Sequence, residues 1–235
     1  MNNSNAVIVG RVQKPLEVKK VNVAGKEKTV GNMSVRVDKP GSKPGAAAKP
    51  TFYDVAVWNA AQQEELAKLK TGDSILVRGE LEAKKYEKGN DNGLNLCFTD
   101  PEVTPLGNQD VAVQSIVAVG RATQDVELSE TPNGHKVAKV YMALNHSKDK
   151  TSYVEVEVWD GYAEQIAKSV KKGSLLTVSG ELDLNTYGNT AGGKTSKLRI
   201  ANAKIGFMDK SAKAGAGASG QAAGSAGQNN GNAGR

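Results

Sequence analysis

At 235 residues the chain is long enough for one large domain or two small ones. Only 38% of it is apolar and 5% aromatic, so a core must be built mainly from Val, Leu, Ile and Ala, and no apolar run reaches the roughly 20 residues of a membrane span. The single cysteine, Cys97, excludes an intrachain disulfide, and a net charge of +6 leans toward a polyanionic partner without demanding one.

The opening MNNSNAVIVGR lacks a charged segment followed by a long apolar one, so no secretory signal is read and a cytoplasmic location is expected. Ala6–Val12 and Thr29–Val37 have the branched residues of β segments. The segment Asp38–Pro50, DKPGSKPGAAAKP, is expected to be a loop, because its prolines and glycines break regular structure. Thr51–Trp58, TFYDVAVW, alternates as a third strand. Asn59 is the expected N-cap of a helix to about Lys70, and Gly72 its stop signal. Ser74–Tyr86 is a long fourth strand, with a bend or bulge expected at Gly79. A polar turn and a last strand, Leu94–Phe98, follow.

The second half repeats the first. VGR at Val9–Arg11 returns at Val119–Arg121, and the VxVW of Val55–Trp58 at Val156–Trp159. Gly72 returns as Gly173, Gly79–Leu81 as Gly180–Leu182, and Tyr86 as Tyr187. The near-constant spacing means a duplicated domain, with the Pro/Gly/Lys insert in the first copy alone. In the second copy Asp160 is the expected cap, Gly161–Lys172 the helix and Leu198–Ile205 the last strand. Five strands with one helix between the third and fourth is the element order of an OB-fold. The expected class is therefore all-β with one short helix per domain: two tandem five-stranded OB barrels, residues 1–108 and 109–208. The Gly/Ala/Asn-rich residues 209–235 are expected to be a disordered tail.

Side chains of a strand alternate between two faces. Tyr53, Val55 and Val57 share one face, and Phe52, Asp54, Ala56 and Trp58 the other. In the repeat, Tyr153, Glu155, Glu157 and Trp159 oppose a valine row. Tyr86 and Tyr187 fall in phase with the polar residues of the fourth strands. Phe52, Trp58, Tyr86, Tyr153, Trp159 and Tyr187 thus place rings on the wet side of the sheet, where flat bases could stack. Cations that could track phosphates lie nearby in sequence: Arg11, Arg36, Arg78, Lys84, Lys85 and Lys88 in the first copy, and Arg121, Lys194, Lys197 and Arg199 in the second. Lys39, Lys43 and Lys49 stand in the insert. No catalytic residues, cofactor or metal site are read, since His135 and His146 fall in expected loops without further ligands at metal spacing. Cys97 reads as a buried filler.

These ordered motifs resemble the bacterial-type single-stranded DNA-binding protein family. VGRATQDVELSETPNGHKVAKVYMAL is similar to the family's opening, and TSYVEVEVWDGYAEQIAKSVKKGSLLTVSGELDLNTY to its centre. The first copy matches from TFYDVAVW through GELEAKKY but has a divergent first hairpin. The resemblance covers about residues 5–107 and 113–207. It implies sequence-independent binding of single-stranded DNA in replication, recombination and repair, with stacking at the same six aromatic positions. It also implies a homodimer presenting four OB folds. A further family aromatic after the second strand has no counterpart in DKPGSK or NHSKDK. The family's acidic tail tip is replaced by QNNGNAGR, so recruitment of protein partners through the tail does not carry over. An RNA-binding OB module and an OB-based protein-interaction scaffold stay open as alternatives, because stacking alone does not read the sugar.

Overall fold

The computed structural model describes residues 4–39, 48–109 and 111–208. The expected tail, and Lys43 of the insert, lie outside the described residues. In the first half, β1 (Ser4–Val23), β2 (Lys26–Lys39) and β3 (Lys49–Val57) are followed by helix α1 (Ala60–Leu66). β4 (Ser74–Gly79), β5 (Leu81–Lys88), β6 (Asp91–Thr99) and β7 (Glu102–Gly107) complete it. The second half has β8 (Val113–Ala122), β9 (Glu127–Glu130), β10 (Lys136–Ser147) and β11 (Lys150–Trp159). Helix α2 (Asp160–Ser169), β12 (Leu175–Gly188) and β13 (Lys194–Phe207) then close the chain's described part. No helix among the described residues is long and apolar enough to cross a membrane.

Each half closes on itself as a five-stranded barrel. In the second half β8 pairs antiparallel with β10 and β12, β10 with β11, β12 with β13, and β11 runs parallel to β13. In the first half β1, β2, β3, β6 and the broken strand β4–β5 make the same circuit. This is the OB-fold that the element order implied, all-β with one short helix in each half. The inward rows, such as Tyr53, Val55 and Val57 or Val154, Val156 and Val158, are buried, and Leu66 and Ile166 plug the barrels from the helices.

The repeated VGR has a structural explanation. A Cβ at Gly10 would stand 2.5 Å from the Arg36 carbonyl oxygen, and one at Gly120 2.5 Å from that of Ala143. Only glycine lets the first strand pass so close to its neighbour. The following arginines brace the turn after each helix. Arg11 Nη1 donates to the Gly72 carbonyl at 3.0 Å and Arg121 Nη1 to that of Gly173 at 2.8 Å.

Several elements differ from expectation. β1 runs on to Val23 and forms a long hairpin with β2 through Ala24 and Gly25, both at positive φ. The insert's ends are extended, since β2 reaches Lys39 and β3 starts at Lys49. The fourth strand of the first half is broken after Gly79, whereas in the second a register shift at Ser179/Glu181 lets one strand continue. Asn59 caps α1 as expected, its side chain accepting from Gln62 N at 3.1 Å, but the helix ends at Leu66. Asp160 is not a cap: it is the first residue of α2 with φ of 53°, and its carboxylate accepts from Lys136 N instead.

The halves share a seam. Ser4–Val9 of β1 pairs antiparallel with Val113–Ala118 of β8, making one continuous sheet. His146, expected in a loop, is in β10 with its side chain buried. Its Nδ1 lies 2.8 Å from Glu80 Oε1 and its Nε2 2.8 Å from Ser152 Oγ, while Ser152 Oγ also accepts from Ala83 N. The two β-turn loops interlock as well. Asn90 Nδ2 donates to the Ala191 carbonyl, and Asn189 Nδ2 to that of Asn90.

Candidate nucleic-acid interface

The inward valine rows force the intervening residues of β3 and β11 outward, because strand side chains alternate. All six candidate aromatics emerge on the outside, between 38% and 54% exposed. They form a trail. Tyr53 of β3 pairs with Leu96 of β6, and Tyr86 of β5 with Gly93, so Phe52 and Tyr86 flank β6 near one end. Trp58, just past the end of β3, is six residues from Phe52, about 20 Å at the rise of an extended strand. The second half repeats this, with Tyr153 and Tyr187 flanking β13 and Trp159 at the far end of β11. The bend at Gly79 leaves Tyr86 outside, its ring laid over Gly93, where an added Cβ would meet the ring.

The cations divide by environment. Arg36 stands directly opposite Phe52 and is ion-paired to Asp38 at 2.8 Å. Lys84 contacts Glu82 at 3.5 Å. Lys85 reaches across the seam, its Nζ 5.2 Å from the centre of the Tyr153 ring. Lys197 lies over two rings, 5.5 Å from Tyr141 and 5.6 Å from Tyr187. A hydrogen bond with Tyr187 is the main cause that raises its pKa, against partial burial. Among the described residues no carboxylate pairs with the charged side-chain group of Lys85, Lys88, Lys194 or Arg78. Arg78 is on another face, in the β7–β4–β1–β8–β12 layer. Arg11 and Arg121 are at the helix-end turns described above.

Arg199 has a different setting. It lies between Glu157, at 2.7 Å, and Asp183. Burial opposes its charge, but hydrogen bonds to Asp183 and Glu157 outweigh this and raise its pKa. Glu155 is held by Lys139 at 3.6 Å and Lys197 at 3.8 Å. The alternation put these acids opposite the valine row, on the side expected to be wet, yet Glu155 and Glu157 are each 93% buried beneath their cations. In the first half the slot of Arg199 holds Cys97: Glu155 pairs with Arg199 as Asp54 pairs with Cys97. Cys97 is half-buried, and burial is the main cause that pushes its thiol pKa up. The two outer faces therefore share rings but not charges.

Tyr141 was missed. It is outward on β10 between the buried Val140 and Met142, so the phase argument that selected the other six also selects it. Burial, then Glu155, raises its pKa. Lys139 was missed for the same reason. No group of His, Cys, Asp and Glu among the described residues could hold a metal ion.

Residues 3–95 and 113–208 match the model of the Single-strand binding protein family. Single-stranded DNA-binding protein A of Bacillus subtilis is 32% identical over 111 residues, which are 45% of this chain and 64% of that protein. The chain thus spans less than two thirds of that relative's length. The single-stranded DNA-binding protein of Deinococcus radiodurans is 24% identical over 213 residues, 81% of this chain and 67% of that one. The crystal structure of wild-type single-stranded DNA binding protein from Thermus aquaticus shares the fold, with a TM-score of 0.63 at 20% identity, over 91% of this chain and 96% of the other. With the family model matched once in each half, the chain belongs to the single-strand binding protein family.

Proposed function

We propose that this protein binds single-stranded DNA without sequence preference and protects it during replication, recombination and repair. The observation that carries this is the same outward three-ring trail in both halves: Phe52, Trp58 and Tyr86, then Tyr153, Trp159 and Tyr187. Every base has a flat face, so stacking holds any sequence, at about 1–3 kcal/mol per base. Lys84, Lys85, Lys88, Lys194 and Lys197, with Arg36, stand beside the rings and would meet the phosphates. Arg199 acts mainly by holding Glu157 and Asp183, and Arg11 and Arg121 by bracing the turns. Residues 1–108 and 109–208 act as two binding domains of one chain. The protein is a binding protein and not an enzyme, and the cytoplasm is where this work would be done.

Two chains would present four barrels. The β7–β4–β1–β8–β12 layer supports this, for its outer side exposes Val117 beside Val7 and Leu76. An apolar sheet face of this kind is a common docking surface.

Competition of labelled single-stranded DNA against RNA and duplex DNA of one sequence, at several salt concentrations, tests the reading. Single-stranded DNA should compete best and weaken as salt rises. Preference for RNA, or affinity independent of salt, would overturn it.

A further inference from the structure

The two outer faces meet at the seam, where Lys85 of β5 lies over the Tyr153 ring of β11. A cleft of about 230 Å³ opens there, lined by Lys85 and Leu94 from the first half and by Tyr141, Tyr153, Glu155 and Lys197 from the second. It is smaller than the about 300–1,000 Å³ of an enclosing ligand pocket, so it would cradle one unit of a longer ligand and not engulf a free one. Tyr141 stands opposite Glu155, and Tyr153 opposite Ala143, on neighbouring strands. The two residues are thus diagonal neighbours on one face, a spacing of about 7–8 Å between positions that lets both side chains reach one planar base. Lys85 is over Tyr153 and Lys197 over Tyr141, one cation for each ring.

We infer that this cleft is a joint subsite in which both halves hold one nucleotide of a single strand, Tyr141 and Tyr153 contacting the base while Lys85 holds the adjoining phosphate. The inference rests on the single-strand reading above. It adds a seventh ring, Tyr141, and a cation supplied by the other half. The strand would then pass from one barrel to the next without leaving the protein. Lys197 has the nearby carboxylate of Glu155 at 3.8 Å, whereas Lys85 has no carboxylate partner among the described residues and is free to meet a phosphate.

The test uses the full chain with Tyr141→Thr, Lys85→Ala and both together. Threonine, like tyrosine, favours a strand, and circular dichroism reports whether each variant folds. Affinity for a dT oligomer of about 30 nucleotides, enough for two OB folds, is measured by quenching of Trp58 and Trp159. Tyr141→Thr should weaken binding roughly tenfold. Lys85→Ala should flatten the salt dependence by about 0.7 in log–log slope. The double variant should lose less than the two losses combined, because both residues act on one nucleotide. Ultraviolet cross-linking of the wild-type complex should recover dT on Tyr141 as well as Tyr153. Independent losses, or cross-links confined to the other rings while quenching persists, overturn the joint subsite but leave the single-strand reading standing. Absence of quenching in the wild type overturns both.

Discussion

His146 Nδ1 lies 2.8 Å from Glu80 Oε1, joining β10 of one half to the break between β4 and β5 of the other. The imidazole also meets Ser152 Oγ, so removing it takes a hydrogen-bond partner from Glu80 and from Ser152, which keeps its contact with Ala83 N. His146→Ala should lower stability by about 1–3 kcal/mol, read from urea unfolding. An unchanged midpoint would mean that the contact is incidental.

Arg11 and Arg121 look like phosphate ligands in the sequence, yet each donates to a glycine carbonyl at a helix-end turn. Arg11→Gln should lower stability by about 1 kcal/mol and leave the salt dependence of DNA binding unaltered. A flatter salt dependence at wild-type stability would return Arg11 to the phosphate path.

Tyr53 is fully buried and its hydroxyl donates to Gln114 Oε1 at 2.6 Å. Burial, then the charge of Asp183, raises its pKa well above the ordinary tyrosine value. An unfolded tyrosine ionises near pH 10, so above about that pH the unfolded chain binds fewer protons than the folded one and stability falls as pH rises. The contribution is fully present below that pH. Tyr53→Phe should therefore show a shallower alkaline loss than wild type, by up to about 1.4 kcal/mol per pH unit. Equal slopes in denaturant titrations between about pH 10 and 11 would contradict the assignment.

Val117 is 54% exposed on the outer layer proposed to pair two chains. Val117→Glu would bring like charges together across a two-fold interface, so sedimentation should show two chains for wild type and one for the variant. Wild type sedimenting as one chain would remove the four-barrel arrangement.

The duplication, the barrel class and the outward phase of the rings were legible because each rests on alternation or repetition along the chain. The β1–β2 hairpin was not. From Leu16 to Val23 its residues are mostly exposed, so no buried row marks a strand, and Leu16 instead packs over Gly31. The role of VGR was likewise hidden, since the carbonyls it approaches belong to distant segments. Asp160 has the residue type of a cap but a carboxylate drawn to Lys136 N and His135, across the barrel end. The charge pattern was also unreadable: Glu155 and Glu157 alternate like surface residues, and it takes the pairing of β11 with both β13 and β10 to bring Lys197, Arg199 and Lys139 over them. The seam cleft needs the packing of two halves that are separate in sequence.

The most direct measurement follows from the tryptophans, one at the end of each trail. Oligo-dT is titrated into the wild type, Trp58→Ala and Trp159→Ala, and the remaining fluorescence followed. Wild-type emission should fall as oligo-dT is added. Each variant should keep quenching at its remaining tryptophan while affinity drops by about 1–3 kcal/mol. Emission unchanged at saturating oligo-dT, in a folded protein, would contradict stacking on the outward face and with it the account of this site.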